Sequence, residues 1–218
     1  PDSVGTNSFV SGYESRASGN WSHALGYKAI ARGDYSTSIG KYSKAYGSNS
    51  FAFGDSAKVY NDDSYAFGAG AISMGKASYA FGSVMRHSNG TPTNAYTLAQ
   101  GDYSLALGFG AESQGFMSIA FGSRAIASGS YSMVFGYEST ASDVLSMALG
   151  DSTISSGPFA LAMGTHTEAS GNAATSFGRN TLASGNESVA GGRDCEATGQ
   201  GSVAMGYNAK AQGFYYST

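Results

Sequence analysis

The residues able to ligate a metal or relay a proton are few and scattered in this chain. Its three histidines, His23, His87 and His166, lie far apart in sequence and occupy different positions of the repeat described below. A structural metal site needs several such donors converging on one point, so no metal and no cofactor are expected. The carboxylates of Asp34, Asp55, Asp102 and Asp151 occur singly, among turn residues. No pair of them recurs at a spacing suited to general acid–base work. Cys195 is the one cysteine, and it stands in Cys195-Glu196-Ala197-Thr198-Gly199 at a slot where other repeats carry Ala or Ser. It is expected to be a small buried residue rather than a nucleophile. Gly191-Gly192 followed by Asp194 falls short of the calcium-binding nonapeptide repeat. Gly-x-Gly matches such as Gly68-Ala69-Gly70 carry no phosphate-loop meaning in a chain with 32 glycines. The chain reads as non-enzymatic.

Behind those residues stands a period. Glycine recurs every seventh position at Gly5, Gly12, Gly19, Gly26, Gly33, Gly40, Gly47 and Gly54, and again from Gly150 through Gly157, Gly164, Gly171, Gly178, Gly185, Gly192, Gly199 and Gly206 to Gly213. A fixed short period means one unit stacked on copies of itself. Asn61 and Asp143 replace glycine in register, and both residue types tolerate positive φ. The period is therefore expected to mark a left-handed turn residue.

Alternate heptads differ, so the unit is fourteen residues. One heptad ends in Ser-x-Ala-x-Gly, as in Ser22-His23-Ala24-Leu25-Gly26; the other ends as in Ala29-Ile30-Ala31-Arg32-Gly33. Each alternates with period two over about five residues, which predicts a strand. The small residues of both strands must face one another across a thin interior. The expected fold is all-β, a parallel β-solenoid of about fourteen coils, roughly 65 Å long at ~4.8 Å per coil. It is expected to be a single domain over 1–218.

The two outer faces differ. In the first strand type the residue before glycine is Leu25, Ile39, Phe53, Phe67, Phe81, Leu107, Phe121, Phe135, Leu149, Met163, Phe177 or Met205, broken only by Ser11 and Gly191. In the second type it is Ser18, Arg32, Gln100, Gln114, Ser128, Ser142, Ser156, Ser170, Ser184, Thr198 or Gln212. One sheet is thus expected to be wet outside and the other apolar outside. A continuous apolar strip on the order of 1,000 Å² exceeds what a soluble monomer exposes. Its expected cover is further copies of the same chain around a closed axis. Trp21, Tyr35, Tyr103, Met117, Tyr131, Leu145 and Phe159 are expected at a corner that seals one copy against the next.

These alternating heptads, in phase over nearly all of residues 8–213, resemble the head repeats of YadA-like trimeric autotransporter adhesins. The resemblance implies a left-handed parallel β-roll, a homotrimer, and a bacterial cell-surface passenger held at the outer membrane by an anchor outside this segment. It implies adhesion to a host matrix protein (collagen, fibronectin or laminin) or to a cell-adhesion receptor of the carcinoembryonic family. A structural spacer of a surface or phage-tail fibre is the alternative. An ice-binding solenoid would need a flat Thr grid, and a hexapeptide-repeat acyltransferase would need period six; neither pattern is present.

Net charge is −3, with 12% charged residues, which gives no expectation of nucleic-acid or anionic-membrane affinity. No apolar run reaches transmembrane length. No signal peptide precedes Pro1, so an excised segment of a longer chain is expected.

The period slips once. The glycine due seven residues after Gly82 arrives at Gly101, which places a twelve-residue insertion at 84–95 with Asn89-Gly90 and Thr91-Pro92 turn signals. Three consecutive coils of the wet strand also carry Tyr46, Tyr60 and Met74 before the glycine position, flanked by Lys44, Lys58 and Ile72. The expected ligand-binding residues are Tyr46, Tyr60, Met74, Arg86, His87, Asn89 and Asn94, on a lateral face where loops and exposed tyrosines serve as anchors.

Overall fold

The computed structural model describes residues 4–84 and 96–213. The insertion residues Arg86, His87, Asn89 and Asn94 lie outside the described residues. The chain divides into two compact units, Pro1–Met117 and Ser118–Thr218. Among the described residues every regular element in either is a strand.

In the first unit seven short strands form one parallel sheet: Phe9–Ser11, His23–Leu25, Thr37–Ile39, Phe51–Phe53, Tyr65–Phe67, Tyr79–Phe81 and Leu105–Leu107. Seven two-residue strands, from Arg16–Ala17 through Lys44–Ala45 and Lys58–Val59 to Glu112–Ser113, form a second. The second unit repeats the plan with Ile119–Phe121 and then five-residue strands, from Met133–Tyr137 to Val203–Tyr207, against two-residue strands from Ile126–Ala127 to Lys210–Ala211. Partners in register are fourteen residues apart, as in Ala24↔Ser38 and Ala162↔Ser176. At the insertion the register spans 26 residues, Ile72↔Leu98, and resumes without a slip. The architecture is therefore a parallel β-solenoid, seven coils to each unit. The second-type strands are shorter than the five-residue alternation suggests: after the inward residue one more residue bonds to the next coil, as Ser18 N–H does to Ala31 O (2.9 Å), and the chain bends at the glycine position.

The interior holds only small side chains. Ser22, Ala24, Ala29 and Ala31 of one coil are all fully buried, and Val59 and Val134 are the largest buried residues. With coils stacked through bonds such as His23 N–H to Ser36 O (2.9 Å), a larger residue inside would force both sheets apart. Cys195 fits the expected slot: it is buried, its Sγ 3.2 Å from Gly206 O.

The glycine period means something other than expected. First-type glycines do have positive φ, as at Gly26 (134°). Second-type glycines do not, and neither Asn61 nor Asp143, which stand in that column, is left-handed. Glycine prevails there because the next coil passes close: a Cβ on Gly129 would overlap the carbonyl oxygen of Asp143, and only at Asn61 and Asp143 among the described coils does the column accommodate a side chain. The left-handed residues lie two positions after each glycine and are mostly bulky, such as Trp21 (φ 57°) and Tyr35 (φ 58°). A non-glycine residue in that region costs about 1–2 kcal/mol. Here the conformation turns its N–H onto the coil before, as in Trp21 N–H to Thr6 O and Tyr35 N–H to Asn20 O (both 2.8 Å).

Candidate functional site

Strand alternation fixes which side chains leave the solenoid. On the first sheet the pre-glycine row points outward, mostly half-buried or exposed among the described residues. Phe53 is 48% exposed, Phe121 46%, Phe135 42% and Met205 59%. Rings one coil apart pack on one another: Phe67 and Phe81 stack at 5.0 Å and 4°, and Tyr65 and Tyr79 at 5.2 Å and 2°. At Gly191, where the row lacks a side chain, the Phe177 ring occupies the space a Cβ would need. The outward position of His23 is as expected; its ring sits edge-on to Phe9 at 6.5 Å. His166, in the second unit, is a left-handed corner residue. Among the described residues no group of three His, Cys, Asp or Glu could hold a metal.

The corner residues project outward as expected. Trp21 and Tyr35 stack at 6.5 Å and 3°, half-exposed or more. The opposite corner carries an aromatic group that the sequence reading passed over. Tyr13 stacks on Tyr27 (5.3 Å, 10°), and Tyr27 meets Tyr42 edge-on (5.4 Å). Beside them Lys28 pairs with Glu14 at 3.3 Å. Tyr13 donates to the Glu14 carboxylate, and that bond, with Lys28 behind it, holds the carboxyl below its ordinary range. The second unit repeats the arrangement. Tyr137 and then Arg124 lower Glu138, and the same bond raises the Tyr137 phenol.

The second sheet is less uniformly wet than its pre-glycine row suggests. Its other outward row holds Ile30, Ile72, Leu98, Ile126, Ile154 and Leu182 among charged residues, with Ile154 44% exposed. Tyr46, Tyr60 and Met74 do lie on this face at one-coil spacing. The Tyr46 and Tyr60 rings are 5.6 Å apart at 37°, and the Arg32 guanidinium lies 5.2 Å from the Tyr46 centroid. Lys44 and Lys58 are direct neighbours on the same face. The insertion leaves its coil after Val84, which is buried and bonded to Ala69 O (2.8 Å). The described chain resumes at Tyr96 and Thr97, where Thr97 Oγ1 donates to Gly108 O (2.5 Å), with Ser83 O at 3.3 Å.

A further device escaped the sequence reading. The residue after a second-type glycine is often Asp or Asn, and its side-chain oxygen accepts a backbone N–H from the coil before it. Asp34 accepts from Asn20 (2.7 Å), Asp62 from Ser48 (2.7 Å), Asp102 from Lys76 (2.8 Å) and Asn186 from Asn172 (3.1 Å). The recurrence of Asx one residue after glycine was the available signal. These carboxylates staple turns and are thereby accounted for without chemistry.

A family model described as YadA head domain repeat (2 copies) matches residues 17–43, 45–71, 113–139, 127–144, 141–167, 169–194 and 197–213, well over half of the chain. No curated protein matches it.

Proposed function

Because the chain belongs to the YadA head-domain repeat family, whose members form homotrimers, we propose that it is the trimeric head of a bacterial surface adhesin. The observation that carries this reading is the uncovered first-sheet face. In each unit this row, Leu25, Ile39, Phe53, Phe67, Phe81 and Leu107 in the first and Phe121, Phe135, Leu149, Met163, Phe177 and Met205 in the second, points outward and is half-buried or exposed among the described residues. Each gains about 1.5–3 kcal/mol on full burial, and in a closed assembly three copies cover one another. The corner residues from Trp21 to Phe159 then lie at the seams between copies.

In this arrangement the second sheet faces outward. Tyr46, Tyr60, Met74 and the insertion residues Arg86, His87, Asn89 and Asn94 form the adhesive face, present three times. The ligand is a host matrix protein such as collagen, fibronectin or laminin, or a glycoprotein receptor of the carcinoembryonic family. Three equal faces engaging a repetitive ligand give avidity without new contacts. Nothing in this reading requires catalysis.

The experiment is a pair of variants assayed on immobilised matrix proteins and receptors. Tyr46→Ala/Tyr60→Ala, and a chain with the segment between Gly82 and Leu98 shortened to repeat length, are expected to remain trimers and to lose adhesion. Undiminished adhesion by both removes the proposed face and leaves a spacer.

A further inference from the structure

The chain is acidic overall, yet the second-sheet face of the first unit is not. Its outward positions read Arg16, Ser18, Ile30, Arg32, Lys44, Tyr46, Lys58, Tyr60, Ile72 and Met74, and no carboxylate appears in these rows before Glu112. Register sets the cations on one line, Arg16↔Ile30↔Lys44↔Lys58. Two lysines one coil apart repel, and such a pair is costly unless an anion lies between them. Neither Lys44 nor Lys58 forms an ion pair with a described residue. Of the carboxylates in the adjoining turns, Asp34 and Asp62 accept backbone amides of Asn20 and Ser48, and Asp55 and Asp63 accept from the side chains of Ser56 and Asn49. At the N-terminal end of the strip a cavity of about 480 Å³ opens beside Arg16 and Arg32, with Ser18 and Ile30 in its wall.

We propose that this strip binds a sulfated polysaccharide laid along the stacking direction, its sulfates meeting Arg32, Lys44 and Lys58 in turn. Fixed anions on a short repeat match cations spaced one coil apart, ~4.8 Å. Lysine serves as a point charge for sulfate, and guanidinium as a forked donor. The tyrosines favour this class over single-stranded nucleic acid, which binds by stacking bases on open ring faces. Tyr46 has Arg32 against its ring and Tyr60 beside it, so the rings are engaged with their neighbours. They offer phenol hydroxyls at their edges instead. The inference names a ligand class for the proposed adhesive face, and it rests on that proposal in one respect: the second sheet must face away from the assembly axis.

The test measures binding of the whole chain to immobilised heparin across a salt series. Lys44→Gln/Lys58→Gln is expected to weaken binding at least tenfold and to lower the slope of log affinity against log salt by about two, one per cation removed. Lys28→Gln/Lys41→Gln, at the neighbouring corner, is expected to bind like the parent. Dextran sulfate should compete and uncharged dextran should not. Equal losses in both lysine variants, or no binding by the parent, overturn the proposal. Competition by poly(dT) as strong as that of dextran sulfate overturns it in favour of nucleic acid. A monomeric chain that still loses heparin through Lys44 and Lys58 removes the trimer and keeps this inference; a trimer indifferent to heparin does the reverse.

Discussion

The first and second units use one coil and dress it differently. Along the second-sheet face of residues 4–84 the outward rows carry Arg16, Arg32, Lys44 and Lys58 with Tyr46 and Tyr60. Along the same face of residues 118–213 they carry a column of Ser128, Ser142, Ser156, Ser170, Ser184 and Thr198, with Glu168 and Glu196, and the first cation is Lys210, paired to Glu196 at 3.0 Å. The interiors are nearly interchangeable: Ala24, Ser38, Ala148 and Ser176 fill equivalent slots, all fully buried. Recognition in a stacked-repeat protein can therefore be localised by surface substitutions that leave the coil untouched. If the units share one scaffold and differ only in dress, scaffold lesions must cost alike in both while surface lesions tell them apart.

The largest effect is expected where coils touch. Gly33→Ala in the first unit and Gly129→Ala in the second each push a Cβ into the carbonyl of the next coil, at Gly47 and Asp143. Each should cost about 4 kcal/mol or more in chemical denaturation. Gly201, with nothing near its Cβ position, is the control: Gly201→Ala should cost only about 1–2 kcal/mol from its φ of 64°. A mild Gly33→Ala or Gly129→Ala would break the shared-scaffold comparison.

The turn staples should cost less. Asp34→Ala and Asn186→Ala each remove the acceptor for a neighbouring coil's amide, and each should lose about 1 kcal/mol of stability. Unequal losses would mean that one unit relies on the staple more than the other.

The coil, the two sheets and the small interior were legible in the sequence because period two and period fourteen leave a five-residue strand few options. The apolar outer row was legible for the same reason. The left-handed turn was misplaced because Asn61 and Asp143 belong to residue types that tolerate positive φ, yet neither adopts it here; their column favours glycine through close backbone approach, which the sequence does not display. Lys44 and Lys58 were legible beside Tyr46 and Tyr60, but Arg32 did not join them because it sits directly before Gly33 while they sit three before Gly47 and Asn61; only the sheet puts them side by side. The tyrosines of the Tyr13–Tyr27–Tyr42 corner were missed similarly, since Tyr42 is one position out of step with the other two.

Smaller effects sharpen the comparison at the corners. Carboxyl NMR should show Glu14 and Glu138 titrating below the ordinary carboxylate range. A carboxyl lowered by folding supports the fold above its unfolded value, and that support fades as pH falls through the folded value. Both groups are exposed, so the effect on stability is slight. Tyr13→Phe and Tyr137→Phe should each bring their neighbour back toward the ordinary range. The smallest change is expected inside. The Ser36 and Ser188 hydroxyls are buried without a hydrogen-bond partner, whereas Ala160 and Ala174 fill the same slot in other coils. Ser36→Ala and Ser188→Ala should be neutral or stabilising by about 1 kcal/mol, read as a small rise in melting temperature.

Everything proposed for the outward face depends on the first sheet being covered by other copies of the chain. Molar mass by light scattering tests this directly. Three times the 22.2 kDa chain mass, stable on dilution, is the result expected. A monodisperse species at 22.2 kDa would contradict it, leaving Phe53, Phe121 and Phe135 in water and the assembly argument without a basis.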